Sequence, residues 1–213
     1  MTRKLDTTPD ATLARQGTTL ADTVSRILAV WAQADDAARE AGAQWYGAEA
    51  VAVLAALVTA AEDAGRSTFT REHAAAVVAH LSPRTTWARN VAGAMALVTG
   101  GERAALAVGC MSANVGRAVS AMDANDALST LKGPKTAAFA RNLLGDRDAV
   151  TVDVWAARIA FGDSVGDPEK ALGRTGVYAA VAHAYRVAAA SVGVTPETMQ
   201  ATTWVVARNG RAA

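Results

Sequence analysis

Hydrophobic residues recur every three or four positions along most of this chain, which is the spacing of an amphipathic α-helix. Between residues 20 and 43, for example, Leu20, Val24, Ile27 and Trp31 fall on one helical face. With glycine, proline and polar caps as boundaries, the same spacing predicts further helices over residues 45–64, 70–81, 85–99, 102–108, 114–122, 124–130, 136–144, 154–161, 176–192 and 196–205. Strand-like alternation is nearly absent, so the pattern predicts an all-α protein.

The pattern also predicts how the chain is organised. Residues 1–19 are polar and rich in threonine, which is typical of a flexible N-terminal tail. No linker, repeat or low-complexity tract interrupts the helices that follow, so we expect a single helical domain over residues 20–213. The helix of residues 45–64 is apolar around most of its circumference and is therefore the predicted central helix.

Composition and charge narrow the function classes. The chain is 51% hydrophobic, much of it alanine, the strongest helix former. The net charge is only +1, yet residues 66–117 carry six arginines against two acidic residues, a local net charge of +4. Arginine binds phosphate bidentately, which suits a nucleic-acid backbone. Ordinary solvated helix faces would give the same excess, so charge alone leaves both interpretations open.

Nothing in the sequence predicts export or membrane insertion. The N-terminal segment lacks the apolar core of a signal peptide, and no uninterrupted apolar run is long enough to span a bilayer. The single cysteine, Cys110, excludes an internal disulfide and a metal or iron–sulfur site built from cysteines alone. We therefore expect a cytoplasmic monomer without a membrane partner.

A lysine and an aspartate are the strongest candidates for chemistry. Gly133-Pro134 must form a sharp turn, because proline is not tolerated inside a helix, and Lys135 follows in the first turn of the next helix. Asp153 follows an apolar run, where a lone carboxylate needs a reason to be present. A tight turn before a helix also directs backbone N–H groups at a phosphate. A surface lysine and an N-capping aspartate would give the same pattern.

Other candidate sites are weaker. Residues 162–166 match the Gly-x-Ser-x-Gly nucleophile motif, but that motif needs a preceding strand and here a helix is predicted. His73 and His80 lie seven residues apart on one helix face without a third ligand at a useful spacing, so core or surface histidines are expected rather than a metal site. Trp45 and Trp87 are candidate stacking partners for a base, although core positions are the favoured interpretation.

Three segments carry a resemblance to a known family. They are Leu131-Lys-Gly-Pro-Lys-Thr-Ala137, Val150-Thr-Val-Asp-Val-Trp155 and, upstream, Leu81-Ser-Pro-Arg-Thr85. In this order they resemble the helix-hairpin-helix DNA glycosylase superfamily (HhH-GPD). That family has a hairpin of the type Leu-Pro-Gly-Val-Gly-x-Lys-Thr-Ala, a following Val-Asp-x-His segment, and an upstream Leu-Ser-x-Gln segment that fills the gap left by a flipped base.

The resemblance implies a fold and an activity. The fold would be the two-lobed helical glycosylase fold, with the hairpin near residues 131–136. The activity would be that of a DNA N-glycosylase with AP-lyase activity, which removes a damaged or modified base from duplex DNA. The family's nucleophilic lysine falls on Lys135, which would form a Schiff base, and its essential aspartate falls on Asp153. The residues implied in DNA binding are Arg84, Thr85, Lys132, Gly133, Pro134 and Thr136.

The chain departs from the family at three points. Its hairpin is two residues shorter, Trp155 stands where the family has histidine, and the C-terminal four-cysteine cluster of some members is missing. No metal and no iron–sulfur cluster are therefore expected, and a monovalent cation at the hairpin is the one cofactor left open. The short hairpin is similar to that of uncharacterised helix-hairpin-helix proteins from actinobacteria and their phages.

Three other functions stay open at this point. The protein could be a DNA-binding module that recognises modified DNA without cutting it, a phage DNA hypermodification enzyme on the same fold, or a helical interaction protein with no nucleic-acid role. Release of a base from DNA separates the glycosylase from the binding module. The identity of that base is not predictable, because the walls of a base pocket come from residues scattered along the chain.

Overall fold

The computed structural model describes residues 6–209, and the regular structure in that range is helical. The α-helices are α1 (Pro9–Ala14), α2 (Leu20–Trp31), α3 (Asp36–Gln44), α4 (Ala48–Asp63), α5 (Arg71–Leu81), α6 (Trp87–Ala107), α7 (Ser112–Met122), α8 (Pro134–Leu143), α9 (Val154–Phe161), α10 (Pro168–Leu172), α11 (Val177–Val192) and α12 (Pro196–Asn209). No strand occurs within residues 6–209, so the all-α prediction is confirmed.

The described chain divides into two compact units. The terminal unit contains the residues before Tyr46 and those from Arg147 onward, and so it holds α1–α3 and α9–α12. The middle unit is Tyr46–Asp146 and holds α4–α8. Each unit has its own hydrophobic core. The expectation of one helical domain over residues 20–213 stays a prediction.

The middle unit is built around α5. Every residue from His73 to Leu81 is buried, because α4, α6, α7 and α8 all pack against this helix. Its N-terminus is fixed by a capping box, in which the Thr70 backbone N–H donates to Nδ1 of His73 at 3.1 Å. The helix that carries His73 and His80 is therefore the rigid element on which the rest of this unit is placed.

The helix expected to be central is instead half exposed. Helix α4 buries only Ala50, Leu54, Leu57 and Ala61, which lie three or four residues apart on one face. Val51, on the other side, is 48% exposed. The prediction of a central helix over residues 45–64 was wrong, because alanines and valines around the circumference gave an apolar pattern without being buried.

The terminal unit has its core between α2, α9, α11 and α12, with Ile27, Phe161, Tyr185 and Met199 fully buried. Helices α3 and α12 cross closely, since a Cβ atom added at Gly42 would collide with Thr202. Tyr185 is so deeply buried that desolvation raises its pKa strongly. This core fixes the start of α9, where Asp153 lies.

Part of the segment expected to be a flexible tail is folded. Residues 1–5 lie outside the described residues, but Pro9–Ala14 forms α1, in which Thr12 and Leu13 are buried. Helix α1 packs against α11. A six-residue helix is too short to show a hydrophobic period, which is why the sequence pattern did not reveal it.

One stretch of the described chain, Asp36–Asp63, is long and apolar enough to cross a membrane by length and composition, with a mean hydropathy of 1.3. Core helices of soluble proteins have the same length and composition, so the stretch is only weak evidence for a membrane span. The stretch includes two separate helices, since α3 ends at Gln44 and α4 begins at Ala48. The expectation of no membrane partner stays a prediction.

Candidate functional site

A groove of about 300 Å³ opens in the middle unit beside the start of α8. It is lined by His80, Pro83, Arg117, Thr130, Lys132, Gly133 and Thr136. Three of the residues predicted to bind DNA, Lys132, Gly133 and Thr136, therefore lie on one groove. The end of α5, the loop after it, helix α7 and the hairpin segment all contribute to this surface.

The hairpin segment is held by its own backbone geometry. Leu131 is buried and anchors the segment, and Pro134 is the first residue of α8. Gly133 is the N-cap, with an extended backbone at φ −86° and ψ 134°, and its carbonyl accepts a hydrogen bond from Oγ1 of Thr136 at 3.0 Å. At Gly133-Pro134 the backbone therefore passes directly from an extended residue into the first turn of α8. As at any helix start, the N–H groups of the first turn have no partner within the helix.

The loop between α5 and α6 also borders the groove, through Pro83. Arg84, in this loop, is the only non-glycine residue of the described chain with a positive φ, which is 60°. Two side chains of α7 fix this loop. Nδ2 of Asn114 donates to the Pro83 carbonyl at 3.4 Å, and Nη2 of Arg117 donates to Oδ1 of Asn114 at 2.6 Å, which orients the Asn114 side chain. The exposed side chain of Arg84 is therefore carried on a strained but braced backbone.

The groove is positively charged. Arg117 and Lys132 line it, and no acidic residue is among its lining residues. Arg84 and Lys135 are exposed and lie close in sequence to lining residues, but neither lines the groove. Two cations without an acidic neighbour in the lining make an attractive surface for a polyanion.

Sequence reasoning did not assign His80 and Thr130 to this site. His80 is 5% exposed, and its Nε2 lies 2.9 Å from Oγ1 of Thr130. Burial, with a smaller contribution from the charge of Arg117, lowers the pKa of His80. The two residues are fifty positions apart, so no spacing in a single sequence signals the contact.

Asp153 lies in the terminal unit and caps α9. Its Oδ1 accepts a hydrogen bond from the Ala156 backbone N–H at 2.8 Å, and its Oδ2 accepts one from Nε1 of Trp204 at 3.0 Å. The preceding segment is fixed by Tyr178, whose hydroxyl donates to the Val150 carbonyl at 2.8 Å. Burial raises the pKa of this hydroxyl to about 12. The carboxylate is half-buried and rigidly oriented, and it retains further lone pairs as an acceptor.

Lys135 lies in the other unit, in the exposed first turn of α8. The candidate pair of Lys135 and Asp153 is thus divided between the two compact units of the chain, and its pairing stays a prediction.

A profile of a family of unknown function, DUF7178, matches residues 10–211. The chain belongs to the DUF7178 family. No curated protein and no solved structure matches it.

In this DUF7178 member the two histidines considered as metal ligands each make a hydrogen bond to another part of the chain. Nε2 of His73 lies 2.9 Å from the Ala124 carbonyl oxygen, and His80 contacts Thr130. Within residues 6–209 no group of three or more histidine, cysteine or acidic side chains could hold a metal ion. Both histidines therefore have a structural partner.

Trp45 is more exposed than expected in this DUF7178 member. It is 42% exposed at the end of α3, and its ring centroid lies 4.6 Å from that of Trp204. The expectation of a core position was wrong for this tryptophan, because one side of its ring is covered by Trp204 and the rest faces solvent.

Proposed function

We propose that this protein is a DNA base-excision glycosylase with AP-lyase activity, of the helix-hairpin-helix type. The observation that carries the proposal is the groove of the middle unit, which is lined both by the predicted hairpin and by the loop that carries Arg84. Two segments that the resemblance assigns to DNA binding, about fifty residues apart, thus contribute to one cationic surface.

DNA would be gripped through its phosphates. Lys132 and Arg117 supply charge inside the groove, and each phosphate they neutralise releases counterions. The first-turn N–H groups of α8 add neutral donors at the positive end of a helix dipole. These contacts fix the position of a strand without reading its sequence.

The target base must leave the duplex, because its glycosidic bond is inaccessible in the stack. Arg84 fits the task of filling the vacated space, because its side chain is exposed and its loop is braced by Asn114. Thr85 follows it in the same loop. A strained backbone at an exposed arginine is typical of a functional position rather than a structural one.

The chemistry would begin at Nζ of Lys135. Its lone pair attacks C1′ of the sugar, the glycosidic bond breaks, and the base departs with the bonding electrons and is protonated. The resemblance assigns two roles to Asp153, namely stabilising the positive charge that develops on the sugar and accepting the proton that the amine loses, and a carboxylate can fill both.

Strand cleavage would follow from the same adduct. Opening of the sugar ring gives a protonated Schiff base between Lys135 and C1′. Loss of a proton from C2′ then expels the 3′ phosphate, and water hydrolyses the imine to free the enzyme. Borohydride adds hydride to the same imine and makes the link to DNA permanent.

Borohydride trapping on a panel of duplexes tests the proposal. The wild-type protein is incubated with duplexes that carry oxidised, alkylated or hypermodified bases and is then reduced. We expect a covalent protein–DNA adduct and a free base with at least one of them, and none with the unmodified duplex. Absence of base release across the panel would contradict the proposal.

A non-catalytic DNA-binding module is the second candidate. It is favoured by the engagement of both oxygens of Asp153, because Oδ1 serves as an ordinary helix cap and Oδ2 accepts from Trp204. This candidate predicts salt-dependent binding to the same duplexes with neither base release nor adduct. The trapping panel therefore separates the two functions.

Replacing Arg84 tests its proposed role. Arg84→Gly should be more stable than Arg84→Ala by about 1 kcal/mol, since only glycine is unstrained in the left-handed region. Both variants should lose most base release, because both lack the side chain that fills the gap. Urea denaturation and a base-release assay measure the two effects. Full base release by either variant would show that Arg84 does not fill the gap left by the base. Equal stability of the two variants would show that the backbone at Arg84 is not strained.

A further inference from the structure

Two histidines of α5 hold the chain segment that leads to the hairpin. His73 contacts the carbonyl of Ala124, near the start of this segment, and His80 contacts the hydroxyl of Thr130, near its end. The histidines lie seven residues apart, which places them about 10 Å apart along the helix. Helix α5 is buried, so it provides a rigid support for both contacts.

The direction of the His80 hydrogen bond follows from its partner. The Thr130 hydroxyl donates its only proton to the Ala127 carbonyl at 2.6 Å. It must therefore accept from His80, so Nε2 of His80 carries a proton. His80 thus acts as a donor that points from the buried helix to the base of the groove.

The position of Thr130 bears directly on that of Lys132. Thr130 ends a short 3₁₀ turn, and only Leu131 separates it from Lys132. His80, Thr130, Lys132 and Arg117 all line the same groove. Loss of the donor at His80 would leave the Thr130 hydroxyl with its bond to the Ala127 carbonyl alone and would remove the hydrogen bond that ties the segment before Lys132 to α5.

We propose that His80 is a positioning residue for DNA binding, which holds Thr130 and the hairpin so that Lys132 and Arg117 face the same phosphates. This inference rests on the proposed binding of DNA by the groove. It assigns to His80 no contact with the reacting atoms.

The test compares His80→Leu with His80→Gln. Leucine has no donor, whereas a glutamine side chain can place an amide N–H near the position of Nε2. Fluorescence anisotropy with a labelled duplex at several KCl concentrations gives the Kd and its salt dependence. We expect His80→Leu to bind about tenfold more weakly and with a salt slope lower by about one phosphate contact. His80→Gln should restore most of both quantities.

His73→Leu is the matched control, because His73 is equally buried and contacts the same segment at its other end. It should lower thermal stability but leave the salt slope of the folded protein unchanged. Thermal denaturation and active-site titration correct every variant for its folded fraction. An unchanged slope in His80→Leu, or an equal loss in His73→Leu, would overturn the inference. Wild-type protein that does not bind DNA at low salt would instead remove the proposed function.

Discussion

Replacing Lys135 by glutamine is expected to abolish the borohydride-trapped adduct completely. A glutamine amide nitrogen is not nucleophilic and cannot form a Schiff base, so no route to the covalent product remains. The side chain is exposed in the first turn of α8, and the replacement should therefore leave the fold intact. Gel electrophoresis of the reduced reaction measures the adduct, and circular dichroism checks the fold.

Two other lysines serve as controls for this result. Lys132→Gln should weaken DNA binding at moderate salt but still give adduct at saturating protein, because Lys132 lines the groove without taking part in the chemistry. Lys170→Gln, at an exposed position of α10, should behave as wild type. Equal trapping by wild-type protein and Lys135→Gln would show that another amine is the nucleophile.

The helical fold was predictable because its signals are local. Apolar spacing, Gly–Pro boundaries and N-caps such as Thr19 act within a few residues, and most predicted helices are present. The helix expected over residues 20–43 is instead divided into α2 and α3, with Asp35 as the N-cap of α3. Packing was less predictable, since alanine is apolar in any pattern but adds little to burial. This is why α4 read as the central helix while α5, whose alanines and valines are all covered, holds that place.

The candidate site was predictable only where it depends on unusual residues. Gly133 and Pro134 predict the start of α8, and Asp153 is a lone carboxylate after an apolar run. The contacts that orient these residues join distant parts of the chain, such as Trp204 with Asp153 and His80 with Thr130. Such contacts join common residue types at no regular spacing, so a single sequence does not predict them.

The length of some helices was also not predictable from the sequence. Helix α1 has six residues, and the predicted helix of residues 124–130 is reduced to the 3₁₀ turn Leu128–Thr130. The break expected at Gly100-Gly101 is present, since Gly101 has a non-helical backbone within Trp87–Ala107, with φ 75° and ψ −169°.

Asp153→Asn is expected to lower base release by about 10²- to 10⁴-fold while leaving the DNA Kd unchanged. Asparagine is as good an N-cap as aspartate, so its Oδ1 can still accept from the Ala156 N–H. Its amide carries no negative charge, and it cannot both cap α9 and accept from Trp204. The lost hydrogen bond should lower the free energy of unfolding by about 1 kcal/mol.

Asp35→Asn separates capping from catalysis. Asp35 caps α3 in the same way, with its Oδ1 accepting from the Ala38 N–H at 2.8 Å, and it belongs to the same unit. Its replacement should leave base release unchanged. Trp204→Phe, which removes the donor but keeps the carboxylate, should retain more base release than Asp153→Asn. If Asp153→Asn releases base at the wild-type rate, the carboxylate is only a cap, and the charge on the sugar must be stabilised by another group.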